Sequence, residues 1–152
     1  MINNYISFTQ SSNCFLNISY PSNFTFYNTS YKSSLQFYIK RKQDILDRFN
    51  LDLSHKILET NDPTYLLLYN KKLNLINNKD WTIRLQYDIM TTANTLKFYQ
   101  NKELYDMLLD TNNKIIIYDS DDEIWGSPGQ NLLGVSLMET RCLLKSLNKS
   151  KL

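Results

Sequence analysis

An aspartate and a tryptophan three residues apart, Asp122 and Trp125 in the stretch DDEIWGSPGQNLLG, are the side chains best suited to chemistry in this chain. A carboxylate accepts hydrogen bonds from ribose hydroxyls or moves a proton, and an indole stacks on a planar ring. The same stretch holds every glycine of the sequence, Gly126, Gly129 and Gly134, with Pro128 between the first two. Glycines there admit positive φ or let another group approach the backbone, as binding loops require. Asn131 is placed to cap a helix behind the loop, and the N-terminus of that helix suits an anion. The spacing matches neither GxGxxG nor the P-loop. A plain connecting loop, with a core tryptophan and with Asp122 holding backbone amides, is therefore the competing reading.

Other constellations are weaker. The lone histidine, His55, lies in a polar stretch and reads as a surface residue, so neither Cys14 nor Cys142 has an evident partner for nucleophilic work. Two cysteines match no metal spacing, which points to free thiols in a reducing compartment and to no metal and no cofactor. Lys42 falls on an amphipathic stripe, where its stem packs while its ammonium reaches either water or a ligand.

These residues need elements to hold them. Residues 1 to 31 mix Phe, Tyr and Ile with Asn, Ser and Thr, which suits short strands and turns. Leu35, Tyr38, Ile39, Lys42, Leu46 and Phe49 then form one helical stripe, with Ser33 or Ser34 as N-cap. Asn61-Asp62-Pro63 ends one helical stretch and starts another, after which NKKLNLINNKD reads as a polar loop. A long helix is expected from a cap at Asp80 to about Phe98, and a shorter one from Lys102 to Leu109. KIIIY, residues 114 to 118, reads as a buried strand, and the last helix carries Leu133, Leu137, Met138 and Leu144. The expectation is an α+β, mainly α-helical, single compact domain over residues 1–152 with a few short strands and with 1–14 and 146–152 as loose termini.

Composition agrees with a globular chain. Of 152 residues, 42% are apolar and 21% charged, with a formal net charge of +2, which is neither the disordered type nor strongly basic. A nucleic-acid surface is compatible with this charge but not indicated by it. With no basic, apolar leader and no run near the roughly 18 apolar residues of a membrane span, a cytoplasmic protein is expected.

Five segments in order resemble the NADAR, or YbiA-like, family, whose name refers to NAD and ADP-ribose. CFLNISYPSNF resembles its Phe-Leu-Ser-Asn-Phe-Tyr-Pro entry, and YKSSLQFYIKRK its Ser-Ser-Glu-Gln-Tyr-Phe helix. DWTIRLQYDIM is similar to its Asp-Trp, Arg and Met, through which Arg84 is matched. LKFYQNKELYDMLLDT, which includes Lys97, is similar to its Lys-Phe-x-Gln-Asn and Leu-Leu-x-Thr. In DDEIWGSPGQNLLGVSLMETR, the residues Asp122, Trp125, Gly126, Asn131, Leu133, Gly134, Leu137, Met138 and Arg141 match its last motif. The resemblance implies a helical α+β fold and an N-glycosidase, cleaving ribose from nitrogen in riboflavin precursors or in ADP-ribose attached to a base. It further implies a small-molecule nucleotide or ribosylated ligand, with Trp125, Gly126, Asn131, Lys42, Lys97 and Arg84 as ligand-binding positions and Asp122 as the catalytic one.

N-glycosidic cleavage passes through an oxocarbenium-like state, which carboxylates stabilise while they activate water or protonate the leaving nitrogen. Against that need, the family's helix glutamate aligns here with Leu35, its strand glutamate with Ile117 and its entry asparagine with Ile18. A register slip would bring Gln36 or Asp119 to the lost positions, or Asp122 would work alone with help from Lys42 or Lys97. Two functions follow. One is an N-glycosidase with an altered pocket; the other is a catalytically degenerate relative that binds a nucleotide-like ligand or a protein. Both place Trp125 and the helix from Ser34 around one cleft.

Overall fold

The Ser33 hydroxyl accepts a hydrogen bond from the Gln36 N–H and starts α1, Ser34–Leu46, at the expected cap. The computed structural model describes residues 3–150, the last two by backbone alone. Before α1 come β1 (Tyr5–Phe8), β2 (Phe24–Phe26) and β3 (Thr29–Tyr31). After it come α2 (Leu51–Glu59), α3 (Pro63–Leu73), α4 (Ile83–Gln100), α5 (Lys102–Leu109), β4 (Ile115–Tyr118) and α6 (Leu132–Ser150). The class is mainly helical α+β, as the sequence indicates.

The helix α4 is central and packs on α1, α5 and α6, while α6 also covers β4 and α1 holds α2 and α3. The hairpin β2–β3 turns through Tyr27 and Asn28, both with left-handed φ of 46° and 65°, the backbone of a tight two-residue turn. Its rings close around Phe37 of α1, with Phe24, Phe26 and Tyr31 at 5.9, 5.3 and 5.0 Å between centroids. The strands β1 and β4, from opposite ends of the chain, pair in parallel from Tyr5↔Ile115 to Phe8↔Tyr118. Where loose termini are expected, the described residues thus carry a paired strand at one end and the last turn of α6 at the other.

Several boundaries differ from expectation. Asp47 is the C-cap of α1, so the stripe stops at Leu46; Phe49 lies beyond it, 84% exposed, and Asn50 caps a separate α2. The stretch at 70–80 is not all loop. Its first four residues continue α3, because Leu66 and Leu73, seven residues apart on one face, are both buried. Thr82 rather than Asp80 caps α4: its hydroxyl accepts from Leu85 N–H, while the Asp80 carbonyl is taken by Thr82 N–H in a turn.

Candidate functional site

Residues 119–131 fold back on themselves between β4 and α6. Ser127 N–H donates to the Tyr118 carbonyl, Gln130 N–H to Glu123, and Asn131 N–H to Gly126, at 2.8 to 2.9 Å. The glycines serve close approach, since none has positive φ. A Cβ on Gly126 would lie 2.6 Å from the Ser120 carbonyl oxygen, and one on Gly134 only 2.1 Å from that of Ile116, so these two positions let the loop close and α6 press onto β4. The positive φ, 53°, belongs instead to Asn131.

Asn131 is neither a helix cap nor a ligand residue facing the cleft. Its side-chain oxygen accepts from Tyr118 N–H and its amide donates to the Ile116 carbonyl, both at 2.9 Å, so it completes the edge of β4 that β1 leaves open. The anion site expected at the start of α6 is also filled from within: Leu132 and Leu133 N–H groups donate to the Ile124 and Trp125 carbonyls. The loop supplies its own acceptors there.

A cleft of about 280 Å³ opens in front of this loop. Trp125, Asp122, Ser120 and Tyr118 line it from the loop and β4; Leu35, Tyr38 and Ile39 from α1; Pro63, Leu67 and Asn70 from α3; and Ile18 with its neighbours from the entry segment. Trp125 and the helix from Ser34 therefore share one cleft, and Leu35 lies in it. The Trp125 ring meets Tyr38 edge-on at 5.9 Å, and Tyr38 in turn lies 5.9 Å from Trp81.

Among the described residues lining the cleft, Asp122 is the one carboxylate. Its Oδ1 accepts from Ile124 and Trp125 N–H at 2.9 and 2.8 Å, which fixes the loop, while Oδ2 has no donor among the described residues. The reading of Asp122 as a carboxylate that holds backbone amides is thereby met. Burial, with the Asp122 charge adding to it, raises the pKa of Tyr38, whose hydroxyl donates to Gln86 Oε1 at 3.5 Å, and burial likewise raises that of Tyr118, so both phenols keep their protons.

The other expected residues divide. Ile117 does not line the cleft: on β4, side chains alternate, Ile116 is buried, and Tyr118 is the strand residue that reaches the site. Nor do Gln36 and Asp119 replace a lost acid. The Gln36 amide donates to the carbonyls of Ile57, Leu58 and Thr60 at the end of α2, and Asp119 is exposed and outside the cleft. Arg84 is on the surface, its side chain 85% exposed and paired with Asp88 one turn on. His55 is exposed, as expected.

The two lysines are buried rather than solvated. Lys97 is fully buried, its Nζ donating to the carbonyls of Phe15 at 2.6 Å and Asn17 at 3.0 Å, and burial lowers its pKa to about 7. It anchors the entry segment and has no face on the cleft. Lys42, 4% exposed, donates to the side-chain oxygens of Asn70, at 2.8 Å, and Asn74, lies 5.5 Å from the Trp81 ring centroid, and is lowered to about 8 by burial. Neither expected role, free ammonium or direct ligand contact, describes it.

Sequence reasoning missed Asn70 and Asn17. Asn70 falls in what reads as a polar loop, and only the continuation of α3 brings it to the cleft. The Asn17 amide donates to the carbonyls of Thr9, Gln10 and Ser12, shaping the segment from which Gln10, Ile18 and Ser19 line the cleft. Its signal is the asparagine beside the altered Ile18 in the entry motif.

Known proteins resemble this chain in sequence and in fold. A family model described as the NADAR domain matches residues 2–145. An N-glycosidase of Acanthamoeba polyphaga mimivirus is 34% identical over 108 residues, covering 59% of this chain and 63% of that protein. The chain thus spans less than two thirds of the length of this curated relative. The NMR structure of the E. coli protein YbiA superposes with a TM-score of 0.78 at 18% identity, covering 100% of this chain and 91% of that one, a likeness of fold. Among the described residues no helix is long and apolar enough to cross a membrane.

Proposed function

Because this chain belongs to the NADAR family, whose members include N-glycosidase-like proteins, we propose that its cleft binds a ribosylated planar base and that Asp122 alone carries the hydrolysis of the N-glycosidic bond. The observation behind this reading is the half-used carboxylate of Asp122: among the described residues, Oδ1 is held by two N–H donors and Oδ2 has none. A positioned carboxylate of this kind accepts ribose hydroxyls, stabilises positive charge at the anomeric carbon, or takes a proton from attacking water. The base stacks against Trp125, and the protonated phenol of Tyr118 donates to the leaving group or the ring. At about 280 Å³ the cleft is at the small end of ligand sites. It suits a nucleoside-sized portion of a ligand such as ADP-ribose or a riboflavin precursor, with the remainder at the mouth.

Leu35, which the motif resemblance aligns with a family glutamate, lines the cleft as an apolar side chain, and that favours a second reading in which the cleft binds without turnover. Release of free base from an ADP-ribosylated base, followed by chromatography, separates the two. The first reading expects slow turnover that Asp122→Asn abolishes while ADP-ribose affinity is largely retained, and a gain of about 10² or more on Leu35→Glu where the fold tolerates it. Turnover indifferent to Asp122→Asn rejects the role given to Asp122. No release by either wild type or Leu35→Glu, with ADP-ribose still bound, establishes the second.

A further inference from the structure

Asn70 is a side chain of the cleft whose orientation is imposed from behind by a buried cation. Pro63, Leu67 and Asn70 sit on one face of α3 and line the cleft, and Asn74, one turn beyond Asn70, caps the helix end. Lys42, from the facing α1, puts its ammonium between the two asparagines and donates to both side-chain oxygens. An ammonium has donors only. Were the Asn70 amide to flip, two donors would oppose one another in a buried place, so Oδ1 stays on Lys42 and Nδ2 is left for the cleft. No hydrogen bond is made by Nδ2 among the described residues, and the cation on the far side of the amide strengthens it as a donor.

We infer that Asn70 is a specificity residue of this cleft, a fixed N–H donor for an acceptor atom of the ligand, and that Lys42 is the positioning residue that holds it so. The inference rests on the reading of the cleft as a pocket for a ribosylated ligand and names how that ligand lies. Hydroxyl donors face the Asp122 carboxylate, and a carbonyl, ring-nitrogen or phosphate oxygen acceptor faces Asn70. Asp122 lines the cleft from the loop after β4 and Asn70 from α3, so the two polar groups come from different walls. Lys42 thereby acts on the ligand without touching it, which explains how a lysine 4% exposed bears on the site.

The test is calorimetry with ADP-ribose on the full chain. Asn70→Asp keeps the partner of Lys42 and so keeps the fold, but replaces the donor by an acceptor; it is expected to weaken binding about tenfold or more, with Asn70→Ala close to it. Lys42→Met, which frees the amide to turn, is expected to weaken binding less than Asn70→Ala does. The double variant should bind no more weakly than Asn70→Ala alone, because Lys42 acts through Asn70. The Asn70→Ala penalty should recur with ribose 5-phosphate where the acceptor is phosphate, and with adenosine where it is the base. Asn70→Asp binding within twofold of wild type, or additive losses in the double variant, overturns this inference and leaves the cleft reading standing. A wild type that binds none of the three probes overturns the cleft reading and this inference with it.

Discussion

Lys97 and Lys42 are both buried cations with lowered pKa values, yet they hold different kinds of partner. Lys97 donates to two main-chain carbonyls of the entry segment, whereas Lys42 donates to two side-chain carbonyls on and after α3. Main-chain acceptors move only if the chain moves, so Lys97 is part of what keeps the entry segment on α4. Side-chain acceptors have a second rotamer, so Lys42 selects which way an amide points. One buried charge sets the backbone and the other sets the chemistry presented to the cleft.

The largest expected effect tests the first half of that contrast. Lys97→Ala leaves a cavity, strips the Phe15 carbonyl of its donor and leaves the Asn17 carbonyl with the Tyr20 N–H alone, and should cost about 3–5 kcal/mol in urea unfolding. Lys97→Ala within about 1 kcal/mol of wild type would mean that the entry segment holds itself.

Stability against pH comes next. Both lysines ionise in the folded chain below the 10.5 of an unperturbed lysine, at about 7 and about 8. From pH 7 upward the unfolded chain therefore binds more protons than the folded one, and stability rises with pH. Between pH 7 and 9 the gain should be about 2 kcal/mol through Lys97 and about 1 through Lys42. Tyr38, Tyr118, Tyr31 and Tyr87 are all raised by burial, so they oppose the trend above pH 10, where an unfolded tyrosine ionises more readily. Urea midpoints across this range should show Lys97→Met losing more of the rise than Lys42→Met; a flat profile for wild type would show that both amines are solvated.

Lys42→Met should cost about 1–2 kcal/mol at pH 7, less than the Lys97 variant, because the freed Asn70 borders the cleft and exposed Asn74 can rehydrate. Arg84→Ala, at the exposed ion pair with Asp88, should change both unfolding and ADP-ribose affinity by less than about 0.5 kcal/mol. A larger loss of affinity would bring Arg84 back to the ligand, and would break the rule that in this chain the buried cations matter and the exposed one does not.

Much of the scaffold was legible because its signals are local. The Ser33 cap, the Pro63 start, the β-branched run of β4 and the separate α5 each follow from a few neighbouring residues. Trp125, Asp122 and Leu35 could be placed around one cleft because motifs in order along the chain identify the family. The errors fall where a distant partner decides. Asn131 reads as a cap from its position before a helix, but the unpaired edge of β4 claims its side chain. Ile117 reads as a pocket residue on a strand, but the register with β1 and the cover of α6 turn Tyr118 inward instead.

By itself, then, the sequence determined the helical α+β class, the family and the identity of the one acidic side chain with a place in the cleft, since these rest on periodicity, turn chemistry and ordered motifs. Tertiary structure decided what each polar group does there. Lys42, Lys97 and Arg84 are equally cationic as letters, and only packing separates a backbone anchor, an amide clamp and a surface ion pair. The reason is physical: a charge in water is indifferent to its neighbours, whereas a charge removed from water must find specific acceptors, and those lie on segments far away in the chain.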